Sequence, residues 1–115
     1  MNEYIKKYLN DVLNSINEIE SYFNSEPKFF ENFNKDILRQ RAVERNVEII
    51  GEAINRILKI DPMFQLSNTK AIINTRNKVI HGYDSVTPEF LWSLIIKHLP
   101  ALRIEIKATY LDIEE

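Results

Sequence analysis

Residues 76–83 concentrate the residue types that could do chemistry. This stretch holds one of the two histidines, His81, an arginine five positions before it, one of the two glycines directly after it, and then Tyr83. A histidine can take a proton from a ribose 2′-hydroxyl or give one to a leaving 5′-oxygen. The Arg76 guanidinium can bind a phosphate and stabilise the extra charge of the transition state. Because DNA lacks the attacking hydroxyl, these residue types point to RNA cleavage without a metal.

The spacing of Arg76 and His81 limits how they can act together. Gly82 is a natural C-cap residue, so we predict His81 at the last turn of a helix. The alternative to a catalytic role is that a histidine at this position only interacts favourably with the negative end of the helix dipole. Five helical residues separate Arg76 from His81 by about 7.5 Å along the axis and by about 140° around it. They share one cleft only if the helix end unwinds or if a second copy of the chain contributes. This geometry favours a dimeric site.

The sequence offers no pattern for a resident metal or cofactor. No glutamate has a histidine three residues later, the two glycines lie 31 positions apart, and there is no cysteine. These absences argue against a di-metal carboxylate centre, a glycine-rich phosphate loop, a thiolate site and a disulfide. We therefore expect no cofactor. His98 lacks a comparable setting and is predicted to be helix-surface or partly buried filler.

Composition favours a single helical domain spanning residues 1–115. The chain is 44% hydrophobic and 28% charged, with only two glycines. Its most apolar run, residues 90–96, is far shorter than the roughly 20 residues that cross a bilayer, and its N-terminus lacks a signal-peptide core, so we expect a cytoplasmic protein without a membrane partner. The net charge is −2. A site for RNA must therefore focus positive charge locally.

Apolar spacing predicts four helices. Residues recur every three or four positions in residues 2–24, in residues 36–60, in a shorter segment that begins after Ser67-Asn68-Thr69, and from Thr87 to about residue 110. Asp36 and Thr87 are predicted N-caps. Pro100 should kink the last helix near Ile96. We predict an all-α, antiparallel up-down four-helix bundle with a kinked last helix, and with Ile72, Ile73, Val79 and Ile80 on the inner side of the third helix.

Two further patterns leave alternatives open. A charged stripe runs along the second helix, opposite its buried stripe, and consists of Arg41, Arg45, Glu48, Glu52 and Arg56. It is either a solvated face with weak ion pairs or the wall of a cleft that binds substrate or holds the residues of the 76–83 stretch. Phenylalanines at positions 29, 30 and 33 form either a lid on the core or a partner-binding patch.

The full motif resembles the HepT family. Arg-Asn-x-x-x-His-x-Tyr ends the third helix, and it follows two blocks of the second helix at residues 39–45 and 49–53. HepT proteins are small HEPN-domain ribonucleases, the toxins of toxin–antitoxin pairs whose antitoxin is a minimal nucleotidyltransferase, MntA. The resemblance spans nearly the whole chain, including the four-helix order.

This resemblance implies roles for individual residues. Arg76 and His81 would be the catalytic pair of a metal-independent endoribonuclease that acts as a homodimer. Tyr83 would be the residue that the partner nucleotidyltransferase modifies with AMP, which silences the enzyme. The expected supporting residues are Arg45, Glu48 and Asn77. Of these, Asn77 lies four residues before His81 and so shares a helical face with it. The alternative is a non-catalytic HEPN module that docks a minimal nucleotidyltransferase.

Overall fold

The computed structural model describes residues 1–24, 26–81 and 86–110, and these segments are helical without a strand. The helices are α1 (Glu3–Ser21), α2 (Phe30–Lys35), α3 (Ile37–Ile60), α4 (Lys70–Ile80), α5 (Pro88–Ser93) and α6 (Leu99–Thr109), with a π turn (Leu94–His98) between α5 and α6. The predicted all-α class is confirmed, and the up-down arrangement of four helices stays a prediction. No helix in these segments is long and apolar enough to cross a membrane.

Side-chain caps explain where α3 and α5 begin. The Asp36 carboxylate accepts a hydrogen bond from the backbone N–H of Arg39 at 2.9 Å, and the Thr87 hydroxyl accepts one from the N–H of Phe90 at 3.2 Å. Each bond satisfies a donor that the first turn of a helix leaves unpaired. Both predicted N-caps are confirmed.

The core forms where α3 packs against α1 on one side and against α4 on another. The apolar stripes predicted in residues 2–24 and 36–60 are buried: Ile5, Leu9, Val12, Ile16, Ile19, Phe23, Val43, Val47, Ile50, Ile54 and Ile57. Full burial of each such side chain contributes about 1.5–3 kcal/mol. The prediction for α4 is wrong at Ile80, which is 45% exposed, whereas Ile72 is fully buried. Eight helical steps rotate Ile80 by about 80° from Ile72, away from α3.

The phenylalanine connector contains the short helix α2, which the apolar spacing did not predict. Phe33 is fully buried and Phe30 is half-buried, and their rings lie 5.4 and 5.9 Å from the ring of Trp92. The Gln40 side chain donates to the Phe33 carbonyl at 2.9 Å and so ties α2 to α3. The lid interpretation is therefore confirmed for Phe30 and Phe33. It is wrong for Phe29, which is 58% exposed.

Pro100 was predicted to kink the last helix near Ile96, and at this place the chain forms a π turn; the kink itself stays a prediction. Within the π turn, the Leu99 N–H donates to the Leu94 carbonyl, five residues earlier, instead of to the usual fourth residue. A wider turn makes room for the ring of Pro100, which in a regular helix clashes with the carbonyl of Ile96. His98 lies in this turn and is half-buried, as predicted.

A polar network fastens α1 to α3. The Asn46 side chain, which is 2% exposed, donates to a Glu18 carboxylate oxygen at 3.1 Å and to the Tyr22 hydroxyl at 2.9 Å. The Tyr22 hydroxyl in turn donates to Glu18 at 2.7 Å. A buried amide needs such partners, because an unsatisfied one costs about 1–3 kcal/mol.

We expect this network to make stability depend on pH through Glu18. The Tyr22 hydroxyl and then the Asn46 amide hold the pKa of Glu18 below its ordinary value of 4.5. A lowered folded pKa stabilises the fold above the unfolded pKa, and this contribution is lost as the pH falls through the folded value. Urea unfolding should therefore find Glu18→Gln less stable than wild type at neutral pH, with the difference shrinking in acid. A difference that is constant with pH would contradict this role.

Candidate functional site

Arg76 is positioned by close packing of α4 on α3. Its side chain crosses Gly51, where an added Cβ would lie 2.7 Å from the Arg76 Cβ and 2.8 Å from its Cγ. Any larger residue at position 51 would push the arginine and the α4 backbone away. A glycine in a helix interior costs about 1 kcal/mol relative to alanine, so this one serves the close approach of the two helices.

The Arg76 guanidinium is held at both of its terminal nitrogens. Nη2 donates to Glu52 Oε1, and Nη1 donates to Asn77 Oδ1 at 3.2 Å. Nε is buried and has no hydrogen-bond partner within the described residues. The side chain is 20% exposed. Of the five guanidinium hydrogens, two thus remain on the terminal nitrogens for an anionic ligand.

Glu52 connects Arg76 to a second arginine. Its other carboxylate oxygen, Oε2, accepts from Arg56 Nε at 2.8 Å. The Tyr8 hydroxyl of α1, followed by Glu52, raises the pKa of Arg56. The alternative that the charged stripe holds the residues of the 76–83 stretch is therefore confirmed for Glu52. Arg41 and Glu44, 3.1 Å apart, form a surface pair instead, with Arg41 70% exposed.

A cleft of about 360 Å³ lies between α1 and α3, beside this ion-pair chain. Arg45 and Glu48, predicted as supporting residues, line it together with Glu52 and Arg56. No hydrogen bond or ion pair joins Arg45 or Glu48 to Arg76 in the part of the chain that the structure describes. Arg45 instead lies close enough to Glu18 to lower the pKa of Glu18, although the hydrogen bonds from Tyr22 and Asn46 lower it more. The structure thus places both residues near the site without linking them to its arginine.

His81 follows α4 without a break in the helix. Its N–H donates to the Asn77 carbonyl at 3.1 Å, its backbone has φ −83° and ψ 0°, and its side chain is exposed. The helix end therefore does not unwind between Arg76 and His81, which lie about 140° apart around the axis. Asn77 contacts both of them, His81 through its backbone and Arg76 through its side chain. Gly82 and Tyr83 lie outside the described residues.

One residue of the site had no role in the sequence predictions. Gly51 is buried in the middle of α3, and the signal that could have identified it is the rarity of glycine in this chain. Glu52 was predicted only as one of five members of the charged stripe, without a named partner. No group of three His, Cys, Asp or Glu side chains within residues 1–24, 26–81 and 86–110 could hold a metal ion.

Comparison with known proteins identifies the family. The family model described as Ribonuclease HepT-like matches residues 12–109. "Putative RNase MJ0127" of Methanocaldococcus jannaschii is 31% identical over 112 residues, covering 96% of this chain and 90% of that protein. "Probable ribonuclease HepT" of Thermococcus cleftensis is 32% identical over 102 residues, covering 85% and 88%. No solved structure gives a significant match. The chain belongs to the HepT-like ribonuclease family.

Proposed function

We propose that this chain is a metal-independent endoribonuclease that acts as a homodimer, with the Arg76 and His81 side chains of two protomers in one cleft. The observation that carries the proposal is the unbroken helix between these residues, together with the fixed position of Arg76. Because α4 directs the two side chains about 140° apart, a single chain does not place both on one phosphate. A symmetric pair of α4 helices brings one protomer's arginine towards the other's histidine.

The chemistry follows from the residue types. One His81 takes the proton of the ribose 2′-hydroxyl as its oxygen forms a bond to phosphorus. The bond from phosphorus to the 5′-oxygen breaks, and the second His81 of the dimer gives that oxygen a proton. The two unengaged hydrogens of Arg76 bind the phosphoryl oxygens and stabilise their added charge. The products are a 2′,3′-cyclic phosphate and a 5′-hydroxyl.

The charge of α4 suits an RNA ligand although the whole chain is acidic. The helix carries Lys70, Arg76 and Lys78 and no acidic residue. Such a helix concentrates positive charge on one element, which phosphate binding requires. Lys78 also lies 5.0 Å from the centre of the Phe90 ring, so its position is partly fixed by packing. The local focus that the net charge of −2 demands is therefore available on α4.

We further propose that the protein is the toxin of a toxin–antitoxin pair, silenced when an MntA-type nucleotidyltransferase attaches AMP to Tyr83. The support is family membership together with the spacing of Tyr83 from Arg76 and His81. AMP would add bulk and negative charge beside the site where an RNA phosphate must bind. The partner's ATP and magnesium would remain on the partner's side.

The purified protein should cleave RNA in excess EDTA and leave 2′,3′-cyclic phosphate ends. Light scattering on the same sample should give a dimer, since the site needs two copies of α4. The cyclic phosphate is detected at the 3′ ends of the products, which should resist 3′-terminal labelling until the phosphate is removed. Cleavage that stops with the chelator and returns with a divalent metal would overturn the metal-independent mechanism.

A non-catalytic docking partner of a nucleotidyltransferase is the second candidate. The Glu52–Arg76 ion pair favours it, because Arg76 already has a partner on α3 without any substrate. On this hypothesis the wild type and an Arg76→Ala variant, both folded and dimeric, would be equally inert towards cellular RNA. Binding to the nucleotidyltransferase would then be the activity to measure.

A further inference from the structure

We infer that Glu52 is a positioning residue, which orients the Arg76 guanidinium for the ribonuclease reaction; this inference rests on the proposed function. The 76–83 motif does not include Glu52, which lies 24 residues before Arg76, on another helix. Its role emerges from the contact between α3 and α4.

The contacts fix successive parts of the Arg76 side chain. Gly51 lies against its Cβ, Cγ and Cδ, with added-Cβ distances of 2.7, 2.8 and 3.2 Å, so the stem cannot swing towards α3. The Glu52 carboxylate holds Nη2, and the Asn77 side chain holds Nη1. Two anchored nitrogens define the plane of the guanidinium. The directions of its two remaining terminal hydrogens are therefore set before any substrate arrives, which lowers the entropy cost of binding a phosphate.

The ion pair is better explained by orientation than by stability. The Arg76 and Glu52 side chains are 20% and 40% exposed, so water still screens their interaction, and ion pairs at the protein surface contribute only about 0–1 kcal/mol. Glu52 also brings negative charge close to the site where an RNA phosphate must bind. This negative charge weakens the binding of RNA, so the carboxylate favours the reaction only if it fixes the geometry of Arg76.

Arg56 offsets the negative charge of Glu52. It shares the Glu52 carboxylate with Arg76, so the group of two arginines and one glutamate keeps a net positive charge. Tyr8 of α1 lines the same cleft as Arg56 and raises the pKa of Arg56. The arrangement lets Glu52 orient Arg76 without cancelling the positive field that attracts the phosphate.

Positioning and simple charge repulsion predict opposite results for Glu52→Gln. If Glu52 positions Arg76, the loss of the Glu52 charge loosens the Arg76 guanidinium, and kcat should fall about 10-fold. KM should not rise, because one negative charge near the RNA is removed. Glu52→Ala, which removes both oxygens, should lower kcat by about 100-fold. If Glu52 only repels RNA, both variants should cleave faster than wild type.

The test measures kcat and KM on a fluorogenic oligoribonucleotide for wild type, Glu52→Gln, Glu52→Ala and a control, Glu44→Gln. The control removes the same charge from the same helix, but Glu44 pairs with Arg41. It should leave kcat within about twofold of wild type, since the partner of Glu44 is Arg41 rather than Arg76. A kcat for Glu52→Gln that equals or exceeds that of Glu44→Gln overturns the inference.

A second readout does not depend on activity. Nitrogen NMR of the arginine side chains, assigned with an Arg76→Lys sample, should show slowly rotating terminal N–H groups for Arg76 in wild type and averaged ones in Glu52→Gln. Unchanged signals would overturn the positioning role. If wild type shows held N–H groups but no cleavage of RNA, the proposed function fails while the orienting contact stands.

Discussion

Arg76→Ala and His81→Ala are each expected to lower kcat for RNA cleavage by about 10³-fold. Positioned acid–base catalysis contributes roughly 10²–10⁴-fold, and a preorganised donor to the transition-state charge contributes about 10²–10³-fold. Both effects act on the transition state more than on bound RNA, so kcat should fall much more than KM rises.

Arg76→Lys separates charge from geometry at this position. Lysine keeps the positive charge, but a single ammonium group cannot contact Glu52, Asn77 and a phosphate in the planar arrangement of a guanidinium. We therefore expect Arg76→Lys to resemble Arg76→Ala in kcat while retaining most of the affinity for RNA. Full activity in Arg76→Lys would show that only the charge matters.

The controls use the chain's other histidine and mixed dimers. His98→Gln should remain active, because His98 lies in the π turn rather than at the end of α4. A dimer with one wild-type and one His81→Ala protomer should lose most of its activity, since the composite cleft then lacks either its acid or its base. If each protomer instead held a complete site, half of the activity would remain.

The apolar positions of this fold were predictable because helix burial follows local spacing. In α1 and α3, steps of three and four residues return to nearly the same angle, so the buried stripes could be identified without knowledge of the partner helix. Asp36 and Thr87 were predictable for the same reason, since a cap bonds to a residue only three positions away. Even α4 was located correctly, although its short apolar stripe misplaced Ile80.

The contacts that build the site were not predictable in the same way. Glu52 and Arg76 are 24 residues apart, and their meeting depends on how α4 lies across α3. Asn46 reaches Glu18 across an even longer separation of 28 residues. Spacing rules assign each residue to a face of its own helix, but they do not say which faces meet. The motif therefore indicated the chemistry, while the geometry of Arg76 required the structure.

Gly51→Ala is expected to lower both stability and catalysis, although alanine is the better helix former. Helix propensity favours alanine by about 1 kcal/mol. Against this, the new methyl group would meet the Arg76 Cβ at 2.7 Å and its Cγ at 2.8 Å. These atoms are next to the α4 backbone, so the helix itself must move, and such overpacking costs about 1–3 kcal/mol. We expect a net loss of stability of up to about 2 kcal/mol, and a shift of Arg76 that lowers kcat by about 100-fold.

A second background determines whether the clash is the cause. In Arg76→Gly the opposing Cβ and Cγ are absent, so Gly51→Ala should there raise the free energy of unfolding by about 1 kcal/mol, the reverse of its effect in wild type. Urea unfolding of the four proteins measures this change of sign. If alanine destabilises both backgrounds equally, the close approach of α4 to Gly51 is not what restricts position 51. A reversal would show that the Arg76 stem is what excludes a side chain at position 51.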